Sequence, residues 1–234
     1  MAGRITRKEL KTDKFALEVE QTFDFVTEHR RELILYGSIA VAAILIGVAV
    51  FFYMRHEQTV REQALGEAIL MQEALVGPPN PGALMTFPTD EAKHTAVTKA
   101  FSEIAVKWPG SAEGTVAKYY LGAIAADRGN IAEAQKMFQE AADGGNKYAA
   151  LAKFSLAQVY FAEKRPADGE KILRDLMAHP SDLVSTDQAT IALAKAIAPT
   201  RPAEARKLLE PLRTKAGAVS QDAITAVSEL PGQP

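Results

Sequence analysis

A five-residue phrase occurs three times in this chain at an almost constant interval, and this repetition limits the folds that the chain can adopt. The copies read NIAEA from Asn130, RPADG from Arg165 and RPAEA from Arg201, so their starts lie 35 residues (130 to 165) and 36 residues (165 to 201) apart. A large apolar residue follows eight positions after each start: Phe138, Leu173 and Leu209. A fixed period of this length predicts a stack of similar helical units rather than one globular core. Such stacks usually bind other proteins and rarely catalyse reactions.

The composition favours helices and excludes several classes of function. Alanine is abundant and no alternating run of β-branched residues occurs, so we expect an all-α protein. A formal net charge of −2 and a pI of 6.1 indicate no concentrated basic face of the kind that binds nucleic acid. The absence of cysteine excludes disulfides, iron–sulfur clusters, thiolate zinc sites and cysteine nucleophiles.

An uncharged apolar segment near the N-terminus predicts a single transmembrane helix. It covers 21 residues (33 to 53), reads LILYGSIAVAAILIGVAVFFY, and is flanked on both sides by charged residues. At about 1.5 Å per residue, this length crosses the roughly 30 Å hydrocarbon layer of a bilayer. A buried core helix and a cleaved signal peptide are the alternatives. We expect an uncleaved span, because the segment is apolar on every side and is longer than the apolar part of a signal peptide.

The charges around this segment predict its orientation. Seven Lys and Arg residues precede it, whereas only Arg55 and Arg61 follow closely, which favours a cytoplasmic N-terminus and a repeat domain outside the cytoplasm. Within the segment, Ala40, Ala43 and Gly47 lie on one helical face. Small residues allow close helix packing in lipid, so this face is a candidate contact with another membrane helix. The alternative is that these small residues have no dedicated role.

The pattern of helical and helix-breaking residues predicts five regions. Residues 1–32 form a cytoplasmic segment, in which residues 15–31 are either an amphipathic helix or a simple extension of the span over 33–53. Residues 54–89 comprise a juxtamembrane helix and a Pro-rich loop. Residues 90–230 form the repeat domain and residues 231–234 a disordered tail. The juxtamembrane helix is expected to carry Val60, Leu65, Ile69 or Leu70, and Leu75 on its inner face, and a C-terminal helix over 220–230 to cover the open end of the stack with Ile224, Val227 and Leu230.

The repeats resemble the tetratricopeptide repeat, a helical hairpin with a Leu-Gly pair in its first helix and Ala followed by a large apolar residue in its second. The first copy matches at Leu121, Gly122, Ala134, Phe138 and Ala141, and the second at Leu156, Ala157, Tyr160, Gly169, Leu173 and Leu176. The third copy departs from the pattern in its first helix, where Ala192-Leu193 replaces Leu followed by a small residue. The resemblance covers roughly residues 90–214 and implies an α-solenoid of helical hairpins.

The resemblance also implies where a partner protein binds. The groove positions of the family fall here on the first helix of each hairpin: Tyr119, Ala123, Phe154, Gln158 and Phe161. Aromatic side chains beside a polar one suit an extended or a helical peptide. The alternative is that Tyr119, Phe154 and Phe161 only pack within and between the repeats.

One span followed by a divergent repeat domain resembles a more particular family, the membrane-anchored ancillary subunits of the bacterial Sec translocon, whose repeat domain is shared with a cell-division coordinator family. Residues 108–138 carry most of this likeness. The resemblance implies a single-pass protein of the bacterial inner membrane whose periplasmic domain links translocon subunits to periplasmic chaperones. The alternatives are a scaffold for envelope assembly or cell division and an anchored regulator of an envelope enzyme.

No motif in the chain indicates catalysis. The four histidines, His29, His56, His94 and His179, have no metal-ligand spacing with a carboxylate, and no phosphate-binding loop, nucleophile elbow or zinc-protease motif occurs. We therefore expect a protein that is not an enzyme and that takes no cofactor, metal, small-molecule substrate or nucleic acid.

Overall fold

The structure is a computed structural model that describes residues 30–78 and 82–231. Helices make up nearly all of its regular structure, which confirms the all-α prediction. The chain divides between Thr59 and Val60 into two compact units. The proposed amphipathic helix over residues 15–31 and the tail over 231–234 lie almost wholly outside the described residues, and so stay predictions.

The first helix, α1 (Arg30–Glu73), contains the apolar segment and continues without a break into the juxtamembrane region. Its apolar part is exposed along its length, with Ile34, Ile44 and Phe52 all at least 60% exposed, and none of its most apolar 18-residue window is buried. A core helix would be mostly buried, so the core-helix alternative is wrong. Among the described residues, α1 is the helix that is long and apolar enough to cross a bilayer.

Helix α1 ends at Glu73, and the chain then forms a short two-stranded sheet. Strand β1 (Leu75–Val76) pairs in parallel with β2 (Thr86–Phe87), and the Lys93 ammonium donates a hydrogen bond to the carbonyl of Ala74 at 2.8 Å. This pairing was not predicted for the Pro-rich region. It also corrects the expectation for Leu75, which is 55% exposed in β1 rather than packed on the inner face.

The second unit begins with the last turns of α1 packed against α2 (Asp90–Lys107). Thr89 caps α2 by accepting a hydrogen bond from the amide of Ala92 at 3.1 Å, and the helix ends before Trp108-Pro109. Ala68 of α1 and Phe101 of α2 are fully buried in the shared cluster, with Leu65 and Ile69 packed around them.

Three hairpins follow, each packed against the next. They are α3 (Ala112–Asp127) with α4 (Ile131–Ala142), α5 (Ala149–Ala162) with α6 (Pro166–Ala178), and α7 (Thr186–Ile197) with α8 (Pro202–Leu209). Ser111, Asn130 and Ser185 cap α3, α4 and α7 with their side chains, and proline opens α6 and α8, where its missing N–H costs nothing.

The second helix of the third hairpin has 8 residues, against 12 and 13 in the other two hairpins. Helix α8 gives way at Leu209 to a 3₁₀ turn, Glu210–Leu212, because Pro211 has no N–H to continue the α-helical ladder. The last helix, α9 (Ala218–Ser228), covers the end of the stack with Ala223, Ala226 and Val227. Leu230 is also buried, but Ile224 is 49% exposed, so the expectation that Ile224 helps to cover the stack is wrong.

Small residues at the repeat positions set how closely the helices approach. A Cβ atom on Gly122 would lie 2.8 Å from the ring of Phe138, and one on Gly169 would lie 2.7 Å from the ring of Phe161. The large apolar residues eight positions after each phrase start are at most 3% exposed: Phe138, Leu173 and Leu209. The periodic glycine and apolar positions of the sequence therefore form the contacts between helices.

Candidate protein-binding groove

A groove of about 540 Å³ lies between the first helices of the last two hairpins. Helix α5 supplies one wall with Phe154, Gln158 and Phe161, which recur at i, i+4 and i+7 and so share one helical face. Helix α7 supplies the other wall, α6 contributes one residue and α9 reaches one end. The further lining residues are Leu173, Gln188, Ile191, Ala192, Lys195, Ala196 and Asp222.

The α5 wall is apolar because this helix carries almost no charge. Its sequence, AALAKFSLAQVYFA, has one ionic residue, Lys153, and that ammonium lies 3.4 Å from the carboxylate of Asp175 on α6, outside the groove lining. The ring of Phe161 packs closely against Gly169, which has no Cβ atom. This contact holds the Phe161 ring at the groove. Leu173 is 1% exposed, so the apolar side of the groove is continuous with the core.

Polar contacts hold the α7 wall in place. The amide oxygen of Gln188 accepts a hydrogen bond from the backbone N–H of Ser185 at 2.8 Å, and the Ser185 hydroxyl accepts one from the backbone N–H of Gln188 at 3.1 Å. This reciprocal cap fixes the start of α7 and the orientation of Gln188. At the other end of the groove, the ammonium of Lys195 lies 3.8 Å from a carboxylate oxygen of Glu229.

Three of the five residues predicted for a binding groove come together here, and two lie elsewhere. Phe154, Gln158 and Phe161 line the groove, with Gln158 exposed and both rings half-buried. Tyr119 instead packs against Phe138, with ring centroids 5.7 Å apart, and Ala123 packs against the same cluster. Tyr119 therefore packs within the repeats, which is the alternative to groove binding that the sequence left open for this residue.

The residues of α7 and α9 that complete the groove were not identified from the sequence. Gln188, Ile191, Ala192 and Lys195 recur at i, i+3, i+4 and i+7, which is a usable signal for a shared face. The third repeat departs from the family pattern in this helix, so the resemblance did not assign groove positions to it. Asp222 comes from the C-terminal helix, whose position relative to α7 depends on tertiary packing.

The small-residue face of α1 has no partner helix among the described residues. Ala40, Ala43 and Gly47 are exposed, and a Cβ placed on Gly47 would meet no atom within 4 Å. The role of this face in helix packing stays a prediction.

Among the described residues, no group of three or more His, Cys, Asp or Glu residues could hold a metal ion. The carboxyl groups with lowered pKa values include Glu91 and Glu170, and both lie outside the groove in surface ion pairs. A hydrogen bond from Arg128 lowers the pKa of Glu91, and one from Arg201 lowers the pKa of Glu170. These shifts arise from contacts that join helices rather than from the groove.

A family model described as a tetratricopeptide repeat-like domain matches residues 28–207, which is more than half of the chain. The chain belongs to this family. The match starts before α1 and ends within α8, so the apolar segment and the repeats fall within one family domain, and α9 lies beyond it. Repeat domains of this kind are protein-interaction modules and are typically not catalytic. No curated protein and no solved structure matches the chain.

Proposed function

We propose that this protein is a membrane-anchored scaffold that binds other proteins through the groove between α5 and α7. The single observation that carries the proposal is the groove itself: an apolar cleft of about 540 Å³, with polar groups restricted to a few positions, on a domain of a protein-binding family. Concave apolar sites with a few placed polar groups are the usual form of a binding site.

Anchoring is supported by the exposed apolar face of α1. Side chains such as Leu45, Phe51 and Tyr53 are more than half exposed, and exposing so many large apolar groups to water is unfavourable. A bilayer would cover them. A cleaved signal sequence has a similar pattern, so the test is extraction of membranes at alkaline pH combined with the intact mass of the protein. A full-length chain in the membrane pellet supports the anchor, whereas a shortened soluble chain contradicts it.

The proposed orientation has the N-terminus in the cytoplasm and the repeat domain in the periplasm of the bacterial inner membrane. The excess of Lys and Arg before the apolar segment supports it. The chain contains no cysteine, so a single Thr225→Cys substitution on the exposed side of α9 provides a unique label. A membrane-impermeant maleimide should label this thiol in spheroplasts before lysis. Labelling only after lysis would show that the repeat domain lies in the cytoplasm, which is the opposite orientation.

We further propose that the partners are Sec translocon subunits and periplasmic chaperones. This rests on the resemblance of the span and repeats to ancillary translocon subunits. The alternatives are an envelope-assembly or cell-division scaffold and an anchored regulator of an envelope enzyme. A photocrosslinking amino acid at Gln158, in the groove, followed by mass spectrometry separates them: translocon and chaperone adducts support the proposal, and division proteins or a single enzyme support one of the alternatives.

The span offers a second site for the same experiment. Ala40, Ala43 and Gly47 share one face of α1, and Leu45 lies on the opposite face of the helix. If the face that carries Ala40, Ala43 and Gly47 packs against a translocon helix, a crosslinker at Ala43 should capture a membrane protein and a crosslinker at Leu45 should not. Equal capture from both positions would indicate no dedicated face.

A further inference from the structure

The end of α2 and the turn after it, residues 106–110, expose a large apolar side chain to water. Val106 is 81% exposed, and it is the one exposed large apolar side chain in the stretch 85–223, all of which the structure describes. Beside it, the ammonium of Lys107 lies 4.4 Å from the centroid of the half-buried Trp108 ring. The 106–110 turn therefore presents an aliphatic side chain, an indole and a cation together.

Backbone contacts hold the 106–110 turn in a defined conformation. The carbonyl of Trp108 accepts hydrogen bonds from the backbone N–H of Ser111 at 3.1 Å and from the Ser111 hydroxyl at 3.0 Å. A Cβ atom on Gly114 would lie 1.9 Å from the same carbonyl oxygen, so α3 begins tightly against the turn. Val106 is therefore displayed by a hydrogen-bonded turn and not by a loose loop.

The 106–110 turn lies where the chain enters the second unit from the apolar segment. Arg61, the second residue of that unit, has its guanidinium 3.6 Å from the carboxylate of Glu113 in the first turn of α3. Trp108 packs against the same cluster as Leu65. Residues 54–59 connect the apolar segment to this unit, and this link reaches about 10 Å as a helix and at most about 25 Å fully extended. The turn is thus tethered close to the surface that holds the apolar segment.

The charges around the turn suit the phosphate groups of lipids. The turn itself carries one charge, the cation of Lys107. The nearest acids along the chain are each paired with a cation: Glu103 lies 3.9 Å from Lys99, and Glu113 is bridged to Arg61. An indole and a lysine beside an aliphatic side chain are typical of the layer where a protein meets lipid headgroups, because both combine an apolar body with a polar end.

The small size of the exposed apolar surface favours lipid over a protein partner. One exposed valine beside a half-buried indole offers far less surface than the roughly 800 Å² that each partner buries in a stable protein interface. A fluid headgroup layer needs no matching surface. Because the span already holds the protein at the membrane, even a weak contact is populated at the resulting high local concentration.

We propose that the 106–110 turn rests in the headgroup layer of the bilayer that holds the apolar segment, with Val106 and the Trp108 ring inserted and Lys107 at the phosphates. This rests on the proposed anchor and adds a second attachment of the repeat domain to the membrane. Such a contact restricts the rotation of the repeat domain and so limits which of its surfaces a partner can reach.

The test uses the fluorescence of Trp108, because the chain contains a single tryptophan. The full-length protein is reconstituted into phosphatidylcholine vesicles. Matched vesicles contain a phosphatidylcholine with a nitroxide on its headgroup, or one with a nitroxide deep in an acyl chain. We expect the headgroup nitroxide to quench Trp108 at least about twofold and more strongly than the deep nitroxide, as for an indole at the interface. Quenching by neither lipid, or stronger quenching by the deep nitroxide, would overturn the proposal.

Two aspartate substitutions separate insertion of the turn from mere proximity to lipid. Val106→Asp should reduce the headgroup quenching of Trp108 by at least about half, because a carboxylate is costly to move out of water. Ile224→Asp changes another exposed aliphatic residue, on α9, and should leave the quenching as in the wild type. Because both side chains are exposed, both variants should keep the wild-type circular dichroism spectrum and melting temperature. Full quenching in Val106→Asp would show that the turn is not inserted.

Failure of this contact can be told apart from failure of the anchor. A chain with both Trp108→Phe and Ile44→Trp carries its single tryptophan in the apolar segment, where the deep nitroxide should quench it strongly if α1 spans the bilayer. Quenching at position 44 without quenching of Trp108 in the wild type leaves the anchor intact and overturns the lipid contact. Quenching at neither position contradicts the anchor and the lipid contact together.

A protein partner for the turn is the remaining alternative. A photocrosslinking amino acid at Val106 that captures a protein in native membranes, with Trp108 unquenched in the lipid vesicles, would assign the turn to that protein and overturn the lipid contact.

Discussion

Arg201, in the turn before α8, forms an ion pair with Glu170 on α6 and thereby joins the third hairpin to the second. Arg174 extends the contact, since its guanidinium donates to Glu170 at 2.7 Å and to Glu204 at 2.8 Å. Arg201 and Glu204 both belong to the third copy of the repeated phrase. The phrase therefore opens a helix and also supplies charges to a contact between neighbouring repeats.

This ion pair predicts a pH dependence of stability. The hydrogen bond from Arg201 lowers the pKa of Glu170 below its ordinary value of 4.5, so the ionised carboxylate contributes stability above about that pH. The contribution is lost as the pH falls from there through the pKa of the folded state. Arg201→Gln should melt at a slightly lower temperature than wild type at pH 7, and the difference should shrink below pH 4.5. A difference that is constant from pH 7 to pH 3 would contradict this origin. Arg206→Gln, an exposed change within α8, is the control.

Leu173 should be among the largest single contributors to the stability of the repeat stack. It is 1% exposed, lies at the shared repeat offset and borders the groove. Leu173→Ala should lower the free energy of unfolding by about 2–5 kcal/mol, because it removes a buried side chain and leaves a cavity. Urea denaturation followed by circular dichroism measures the change. Leu84→Ala removes the same atoms from a side chain that is 92% exposed and should alter stability little.

Gly169 should not tolerate a methyl group, although it lies within a helix where alanine is normally favoured. An added Cβ would lie 2.7 Å from the Phe161 ring and 2.9 Å from the carbonyl oxygen of Ala157. Gly169→Ala should therefore destabilise by about 1–3 kcal/mol through overpacking. Gly66→Ala on α1, where nothing lies within 4 Å, should instead stabilise by up to about 1 kcal/mol. Changes in melting temperature of the same sign for both variants would contradict the close approach at Gly169.

Thr115 should matter through its hydroxyl rather than its size. The side chain is 1% exposed, its hydroxyl donates to the carbonyl of Ser111 at 3.1 Å, and it accepts from the amide of Asn146 at 2.6 Å. Thr115→Val keeps the shape and should cost about 1–3 kcal/mol, because the half-buried Asn146 amide loses its acceptor. Thr95→Val is the control: its hydroxyl bonds only within an exposed helical turn and should have almost no effect on the denaturation midpoint. Equal effects of the two variants on the denaturation midpoint would contradict a stabilising role for the hydrogen bond between Asn146 and Thr115.

Local signals account for most of the individual helices. Ser111 and Asn130 cap the helices that follow them, and Pro166 and Pro202 open theirs, because these preferences depend on a few adjacent backbone groups. Boundaries that depend on distant contacts were less accurate. After α1, strand β1 pairs with residues eleven positions further on, and Lys93 bonds to the carbonyl of Ala74, and neither contact has a periodic signal.

The sequence by itself determined the helical class and the nearly uncharged character of α5 and the apolar segment, because each is carried by residues one to four positions apart. It also determined the repeat period, through a phrase that recurs every 35 to 36 residues. Only the tertiary structure decided that Tyr119 packs inward against Phe138 whereas Phe154 and Phe161 line a groove. Periodicity specifies which face of a helix is apolar, but not whether another helix covers it. That depends on the neighbours brought in from elsewhere in the chain: here Ile191 and Ala192 of α7 stand across an open groove, whereas Phe138 of α4 fills the space beside Tyr119.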